Sequence, residues 1–304
     1  MGQDVTNQTR FCQIPQGSKK GLSWHRKSRR IFMAVGLSFI LTTSFVYYLM
    51  IPSPPLSTQS TSLVPLQLTL PEGIVIIGDA DFLATALIEG WPGDGSPENP
   101  IIIDGLKIDL SAGGKNCIVI RHTRVSFRIS NCILTMARPL GWYYHEAGIY
   151  LQNVTNGQLL NNIVDKNYNG IILHDSDYNT IAYNTCSNNT NNGIILERSD
   201  FNTVVNNTCS SNGEFGINLQ ESNSNIVANN TCNNNTSTPG DHVGIYIQAS
   251  DYNTVANNTC KYNRIGIYLY SSDSNYVYNN SCLGNFEHEI YVDSDPENSS
   301  LILL

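Results

Sequence analysis

Residues 193–215 read GIILERSDFNTVVNNTCSSNGEF, and residues 216–235 begin the same pattern again with GINLQESNSNIVANNTCNNN. Each stretch opens with a glycine, continues as an apolar-x-apolar segment and later reaches an Asn-Asn-Thr-Cys motif. A unit of this length cannot bury its apolar residues alone, so it must stack on neighbouring copies of itself. The fold therefore depends on how these units stack.

The same unit recurs along the second half of the chain. Its starting glycines are spaced by 22, 23, 23, 28 and 22 residues and are Gly148, Gly170, Gly193, Gly216, Gly244 and Gly266. Asn columns follow 9, 14 and 19 residues after each glycine, with Gly157 replacing the first Asn of one column. Short apolar segments alternating with polar corners predict an all-β fold, a right-handed parallel β-helix with one triangular coil per repeat.

The pattern Gly-Ile-x-Leu … Asn-Asn-Thr-Cys-x-x-Asn resembles the NosD-type β-helix repeat. This repeat is related to carbohydrate-binding and sugar-hydrolase β-helix modules. The resemblance covers residues 101–295 and is strongest over 148–292. It implies the β-helix of a surface protein, and the name NosD implies a copper-related accessory role. The sequence has no His-x-His or Met-rich cluster, so its own residues predict no metal site and no cofactor.

An apolar segment precedes the repeats. Residues 31–51 are uncharged and long enough to span a bilayer, and five basic or His residues lie within 25–30. This predicts a single-pass membrane protein with a cytoplasmic N-terminus and an extracellular β-helix; a cleaved signal peptide is the alternative. The predicted organisation is a tail at 1–30, a transmembrane helix at 31–51, a Pro/Ser/Thr stalk at 52–72, a cap with the first coils at 73–147, and repeat coils with a closing segment at 148–304.

The charge distribution excludes one class of function. The chain carries a net charge of −8, and beyond residue 30 it has 10 basic against 24 acidic residues. Nucleic-acid binding requires clustered cations, so no nucleic-acid partner is predicted.

Two insertions interrupt the repeats at the same corner. They span residues 136–147 and 236–243. Aromatic rings stack on sugars and carboxylates accept sugar hydroxyls, so this edge is predicted to bind a ligand. The candidate ligand-binding residues are Trp142, Tyr143 and Tyr144. The candidate acid–base residues are His145, Glu146, Asp241 and His242.

The sequence favours binding or display at the cell surface, with a glycan as ligand. The first alternative is a carbohydrate-active enzyme, namely a polysaccharide lyase, epimerase or hydrolase. The second is a NosD-like copper accessory protein, and a purely structural spacer is a third hypothesis. Of these, a non-enzymatic role is the principal prediction, because four coil steps of about 4.8 Å separate the two insertions that carry the acid–base candidates.

Several smaller features carry predictions. Asn153, Asn234 and Asn298 are candidate glycosylation acceptors. The cysteine column from Cys186 to Cys282 is predicted to be buried and reduced, while Cys117 and Cys132 are the better disulfide candidates. The Asp column from Asp177 to Asp273 is assigned to turn capping, with Ca²⁺ binding as the alternative. A helix over 79–89, with Phe82, Leu83, Ala86 and Leu87 on one side, is predicted to cover the N-terminal end of the stack.

Overall fold

The repeats stack as coils of a right-handed parallel β-helix, as the glycine spacing predicts. A computed structural model of the protein describes residues 69–70, 73–138, 145–236, 242–293 and 302–303. The predicted tail, membrane segment and most of the stalk lie outside these residues. No helix among the described residues has the length and apolar character needed to cross a bilayer.

Two sides of the coil are nine-stranded parallel sheets. The first, called here the long sheet, consists of β2 (Ile74–Ile77), β5 (Ile118–Thr123), β8 (Ala147–Val154), β11 (Asn169–His174), β13 (Ile194–Glu197), β15 (Phe215–Gln220), β17 (Val243–Gln248), β19 (Ile265–Tyr270) and β21 (His288–Asp293). The second sheet consists of β3 (Ile101–Asp104), β6 (Phe127–Ser130), β9 (Gly157–Leu160), β12 (Thr180–Ala182), β14 (Thr203–Val205), β16 (Ile226–Ala228), β18 (Thr254–Ala256), β20 (Tyr276–Tyr278) and β22 (Ile302–Leu303).

The third side is shorter. Its four strands are β1 (Thr69–Leu70), β4 (Lys107–Asp109), β7 (Ile133–Thr135) and β10 (Ile163–Asp165). Beyond β10 the side continues as single parallel bridges from Thr185 to Ser281. The strand β1 lies within the predicted stalk and pairs with β4.

Equivalent residues of successive coils pair in register. Ile171 pairs with Ile149 on one side and Ile194 on the other. Because successive strand residues point to opposite faces, this register stacks the inward Ile, Leu and Val residues into continuous columns. These columns form one core from the cap to the last coil.

The predicted Asn columns form hydrogen-bonded ladders. Asn207 shows the pattern: its Oδ1 accepts from the backbone N–H (2.9 Å) and the side-chain amide (3.0 Å) of Asn184. Its Nδ2 donates to the Ile181 carbonyl (2.9 Å) and to Asn230 Oδ1 (3.1 Å). A buried amide thus satisfies backbone groups at a corner where the sheet ladders are interrupted.

A fourth ladder was not predicted from the sequence. The Ser176 hydroxyl donates a hydrogen bond within its own coil. The Ser176 backbone N–H donates to the Ser199 hydroxyl (3.0 Å) in the next coil. The same contact links Ser199 to Ser222 and continues to Ser272. Serine hydroxyls therefore stabilise the first corner as the Asn amides stabilise the others.

The Asp column acts on the neighbouring coil. Asp177 Oδ1 accepts the backbone N–H of Asp200 at 2.7 Å, and Asp200 Oδ1 accepts that of Asn223 at 2.6 Å. The sequence pattern predicts that each Asp caps its own turn, and this detail is wrong. The carboxylates join coil to coil because the in-register stack places the next N–H within reach.

The predicted N-terminal helix, α1 (Asp79–Glu89), is present and packs on β2 and β5. Phe82 and Ala86 are buried, and Phe82 meets Phe127 with ring centroids 5.2 Å apart. The prediction that Leu83 and Leu87 also belong to the buried side of α1 is wrong, because these residues are 45% and 84% exposed.

The cysteines described by the structure are all free and buried, including Cys117 and Cys132. The expected disulfide at these two residues is therefore wrong: the Cys132 thiol lies 3.2 Å from the Ser130 carbonyl, and that of Cys117 lies 3.6 Å from the Thr135 carbonyl. Burial raises the pKa of the Cys209, Cys232 and Cys260 thiols well above the ordinary value.

We expect these thiols to resist alkylation in the folded protein. The thiolate is the reactive form, and burial suppresses it in the column. Counting alkylated cysteines by mass spectrometry should show protection before denaturation and reaction of all seven described cysteines afterwards. Protection that persists in denaturant without reductant would contradict the reduced column.

Candidate functional site

The outer face of the long sheet carries side chains that do not repeat. One column runs along it next to the inward Ile column: Val119, Tyr150, Ile172, Ile195, Asn218, Tyr246, Tyr268 and Tyr291. A second column lies two residues further along each strand: Arg121, Gln152, His174, Glu197, Gln220, Gln248, Tyr270 and Asp293. Rings, amides and charges are thus concentrated on one surface.

A groove of about 380 Å³ lies on this face. The rings of Phe215 and Tyr246 line it, stacked with centroids 4.8 Å apart. The side-chain amides in its lining belong to Asn191, Asn192, Asn218, Gln220 and Gln248. Its remaining lining residues are His145, Ile172, Ile195, Glu197 and Glu214.

The row of rings extends beyond the groove. Tyr246 lies 5.2 Å from Tyr268, and Tyr268 lies 5.1 Å from Tyr291, measured between ring centroids. Burial, and then the neighbouring Asp293 carboxylate, raise the pKa of Tyr268 to about 12. Tyr268 is therefore a neutral phenol at physiological pH.

At the other end of the groove two histidines converge on a carboxylate. Glu197 Oε2 lies 3.6 Å from His145 Nε2 and 3.4 Å from His174 Nδ1. The two imidazoles meet edge to face with centroids 5.2 Å apart, and His145 also stacks on Tyr150. We call His145, His174 and Glu197 the His–Glu cluster.

The Glu197 carboxylate is held ionised. Its hydrogen bond with His145 is the largest cause, and the charges of His174 and Arg198 add to it, so the pKa falls to about 2 despite partial burial. Arg198 also binds Asp175, with Nε 2.9 Å from Asp175 Oδ1. The His–Glu cluster is therefore anionic at its centre and flanked by a guanidinium.

The structure separates the acid–base residues that the sequence grouped. His145 lies in the groove with 48% of its side chain exposed. Glu146 and His242 are only 2% and 7% exposed and do not line the groove. Asp241 and the aromatic residues Trp142, Tyr143 and Tyr144 lie outside the described residues.

The sequence pattern did not identify His174, Glu197 and Tyr246 as site residues. The signal that could have found them is the column register, because each occupies an outward position of its own repeat. Two of the predicted glycosylation residues, Asn153 and Asn234, are exposed at corners with φ of 51° and 56°. The third, Asn298, lies outside the described residues.

The donor set of the His–Glu cluster fits a transition metal. Imidazole nitrogens and a carboxylate oxygen are ligands that Cu²⁺ and Zn²⁺ accept. These donor atoms all lie within 4.8 Å of one another. His174 Nδ1 is buried and faces the Glu197 carboxylate at 3.4 Å.

Comparison with known proteins defines the class as parallel β-helix proteins and then the family. Residues 142–239, and again 229–299, match the model of the family described as periplasmic copper-binding protein (NosD). The match covers more than half of the chain, which therefore belongs to the NosD family. The family description places its members outside the cytoplasm, in agreement with the side expected for the β-helix.

Solved structures with the same fold are remote in sequence. Pectate lyase Pel9A has a TM-score of 0.50 and 12% identity, over 76% of this chain and 67% of that one. A mutant of the periplasmic alginate epimerase AlgG has a TM-score of 0.49 and 18% identity, over 67% of this chain and 50% of that one. The Azotobacter vinelandii mannuronan C-5 epimerase AlgE4 A-module has a TM-score of 0.49 and 13% identity, over 66% of this chain and 64% of that one.

This chain spans about half the length of the AlgG epimerase that it resembles. No curated protein matches it in sequence. The likeness to pectate lyase Pel9A agrees with the parallel β-helix fold.

Proposed function

We propose that this protein binds a glycan along the outer face of the long sheet. The groove that contains Phe215 and Tyr246 is the observation that carries the proposal. Aromatic faces stack on the apolar faces of sugar rings, and side-chain amides both donate to and accept from sugar hydroxyls. The amides of Asn218, Gln220 and Gln248 line the same groove as the ring pair.

The charges of the groove favour a neutral glycan. Its described lining includes the carboxylates Glu197 and Glu214 and contains no Lys or Arg. Glu197 is ionised, so a polyuronate entering the groove would meet like charge. The proposed ligand therefore differs in charge from the alginate named for the structurally similar epimerases.

The proposal retains the membrane anchor and the insertion loops. A span at 31–51 would hold the β-helix at the outer surface of the membrane, where glycans are accessible. Trp142, Tyr143 and Tyr144 directly precede His145, a groove residue. We propose that these aromatic residues extend the binding surface.

Replacing Tyr246 by Ala should weaken glycan binding about 30-fold, because an aromatic ring that the bound sugar covers supplies a large share of binding energy. The measurement is calorimetric titration of the full-length protein with neutral manno-, cello- and chito-oligosaccharides, and with oligouronates for comparison. The matched control is Tyr252→Ala, since Tyr252 is an exposed corner tyrosine outside the groove lining. Equal affinity of the two variants would refute the groove as the site.

A carbohydrate-active enzyme is the second candidate, favoured by the position of His145 beside Glu197 at the end of the groove. Glu197, with a pKa of about 2, is a poor general base at neutral pH, so His145 would transfer the proton. Glu146 and His242 are buried and unsuited to this role. His145→Gln should then abolish turnover of any bound oligosaccharide while leaving its affinity within about threefold of wild type.

A further inference from the structure

We propose that Asn218 is the residue that selects the ligand of the groove, because its side-chain oxygen accepts a hydrogen bond from one hydroxyl of the bound sugar. The inference rests on the proposed glycan binding and adds the polar contact that distinguishes one neutral sugar from another. It depends on a buried oxygen that no described residue satisfies.

Asn218 differs from the other residues of the column in which it lies. In the two neighbouring coils the equivalent outward residues are Ile195 and Tyr246, which pair with Asn218 in register. The remaining residues of the column are apolar or aromatic, namely Val119, Tyr150, Ile172, Tyr268 and Tyr291. An apolar side chain is therefore compatible with this position, and the geometry of the coil does not require an amide there.

The side-chain oxygen of Asn218 is buried without a partner. The residue is 9% exposed, and its Oδ1 has no hydrogen-bond partner among the described residues. Asn192, another buried groove residue, is satisfied: its Oδ1 accepts the Phe215 N–H at 3.2 Å and its Nδ2 donates to Asn169 Oδ1 at 3.2 Å. An unpaired buried acceptor destabilises a folded protein, so the Asn218 oxygen points to a partner outside the chain.

The position of Asn218 in the groove brings this oxygen close to the proposed ligand. Asn218 lines the groove together with the stacked rings of Phe215 and Tyr246, on which the sugar would lie. The amide torsion χ2 of an Asn side chain is only loosely restrained, so the amide can turn Oδ1 toward an arriving hydroxyl. The hydrogen bond formed in this way replaces no bond within the described protein, and it therefore adds directly to the affinity.

The groups beside Asn218 favour a hydroxyl as the donor. Gln220 lies two residues further along the same strand, on the same face, and pairs in register with Gln248. Their amides can donate to the oxygen of a hydroxyl that itself donates to Asn218, whereas an ammonium group has no lone pair to accept from them. The arrangement therefore selects an uncharged hydroxyl over a basic group.

The test is calorimetric titration of the full-length protein and of Asn218→Leu with the neutral manno-, cello- and chito-oligosaccharides. Leu has the branched shape of Asn without its polar atoms, so Asn218→Leu should weaken binding about 20-fold. Monodeoxy derivatives of the best-binding sugar identify the hydroxyl. One of them should bind wild type about 20-fold more weakly than its parent sugar does, and should bind Asn218→Leu as well as its parent does. An equal loss in both proteins for every derivative would overturn the proposal.

Thermal unfolding separates this role from a structural one. Asn218→Leu should raise the midpoint of unfolding by about 3 °C, because it removes an unpaired buried acceptor and adds apolar contact. Asn207→Leu makes the same exchange within a ladder and should lower the midpoint, since the Asn207 side chain is hydrogen-bonded on both sides. A lower midpoint for Asn218→Leu would assign its amide to the stability of the fold and contradict the role in ligand selection.

The inference and the glycan proposal fail in different ways. If Tyr246→Ala weakens binding but Asn218→Leu binds every oligosaccharide as wild type does, the glycan site stands and the role of Asn218 is refuted. If wild type binds none of the sugars, both are refuted. Asn218→Ile, with the residue of the preceding coil, repeats the test should the Leu variant not fold. Thr208→Leu is the control for binding, since Thr208 is exposed outside the groove lining, and it should leave the affinity unchanged.

Discussion

Replacing Asn207 by Leu should lower the free energy of unfolding by about 3 kcal/mol. The substitution leaves the buried backbone N–H of Asn184 and the Ile181 carbonyl without the side chain that now binds them. Each buried group left unpaired destabilises by about 1–3 kcal/mol. Chemical denaturation followed by circular dichroism measures the change.

The adjacent residue provides a control for Asn207→Leu. Thr208 is exposed, so Thr208→Leu introduces the same side chain without breaking a ladder and should change stability by less than about 0.5 kcal/mol. If both variants unfold at the same denaturant concentration, the Asn ladder does not stabilise the stack as described.

Replacing Gly216 by Ala should destabilise the protein by a similar amount, about 3 kcal/mol. The added Cβ would lie 2.5 Å from the Gly244 carbonyl oxygen, 2.8 Å from Cys232 Cβ and 2.9 Å from the Cys209 carbonyl oxygen. These contacts involve backbone and core atoms that cannot move without shifting neighbouring coils. The glycine column therefore allows the coil to turn tightly against the cysteine column.

Gly114→Ala is the comparison variant, because there the three atoms nearest the added Cβ all belong to the Leu110 side chain, at 2.8, 3.0 and 3.2 Å, and none belongs to the backbone of a neighbouring coil. Gly114→Ala should lower the free energy of unfolding by less than about 1 kcal/mol. Urea denaturation of both variants gives the comparison. A Gly216→Ala protein as stable as wild type would show that the coils relax more easily than the structure indicates.

The fold was predictable because inward and corner positions repeat in every coil. The spacing from Gly193 to Gly216 reveals the coil length, and the Asn at each corner marks where a sheet ends. The details that failed depend on packing against other coils. Leu83 and Leu87 fit an amphipathic helix in sequence, yet the coil beneath α1 contacts only its Phe82 side.

The candidate site was harder to predict because outward positions need not repeat. His145, His174 and Glu197 belong to three coils and show no common motif in sequence. They become neighbours only through the register that pairs His174 with Glu197 across β11 and β13. Insertion length drew attention to the loop before Gly148, and of its acid–base candidates only His145 lies in the groove.

The Asn ladders also give the stack an electrical direction. In the column through Asn207 the side-chain amides accept from the preceding coil through Oδ1 and donate one N–H to the Oδ1 of the following coil. The aligned dipoles add along the stack and place their positive end at the last coils, as the peptide dipoles of a helix do at its N-terminus. In the neighbouring column the final amide, Asn285, donates to the Glu289 carboxylate at 2.7 Å, and the same carboxylate accepts the N–H of Gly284 at 3.0 Å. Glu289 thus serves this β-helix as an acidic N-cap serves an α-helix, with an anion neutralising the exposed positive end.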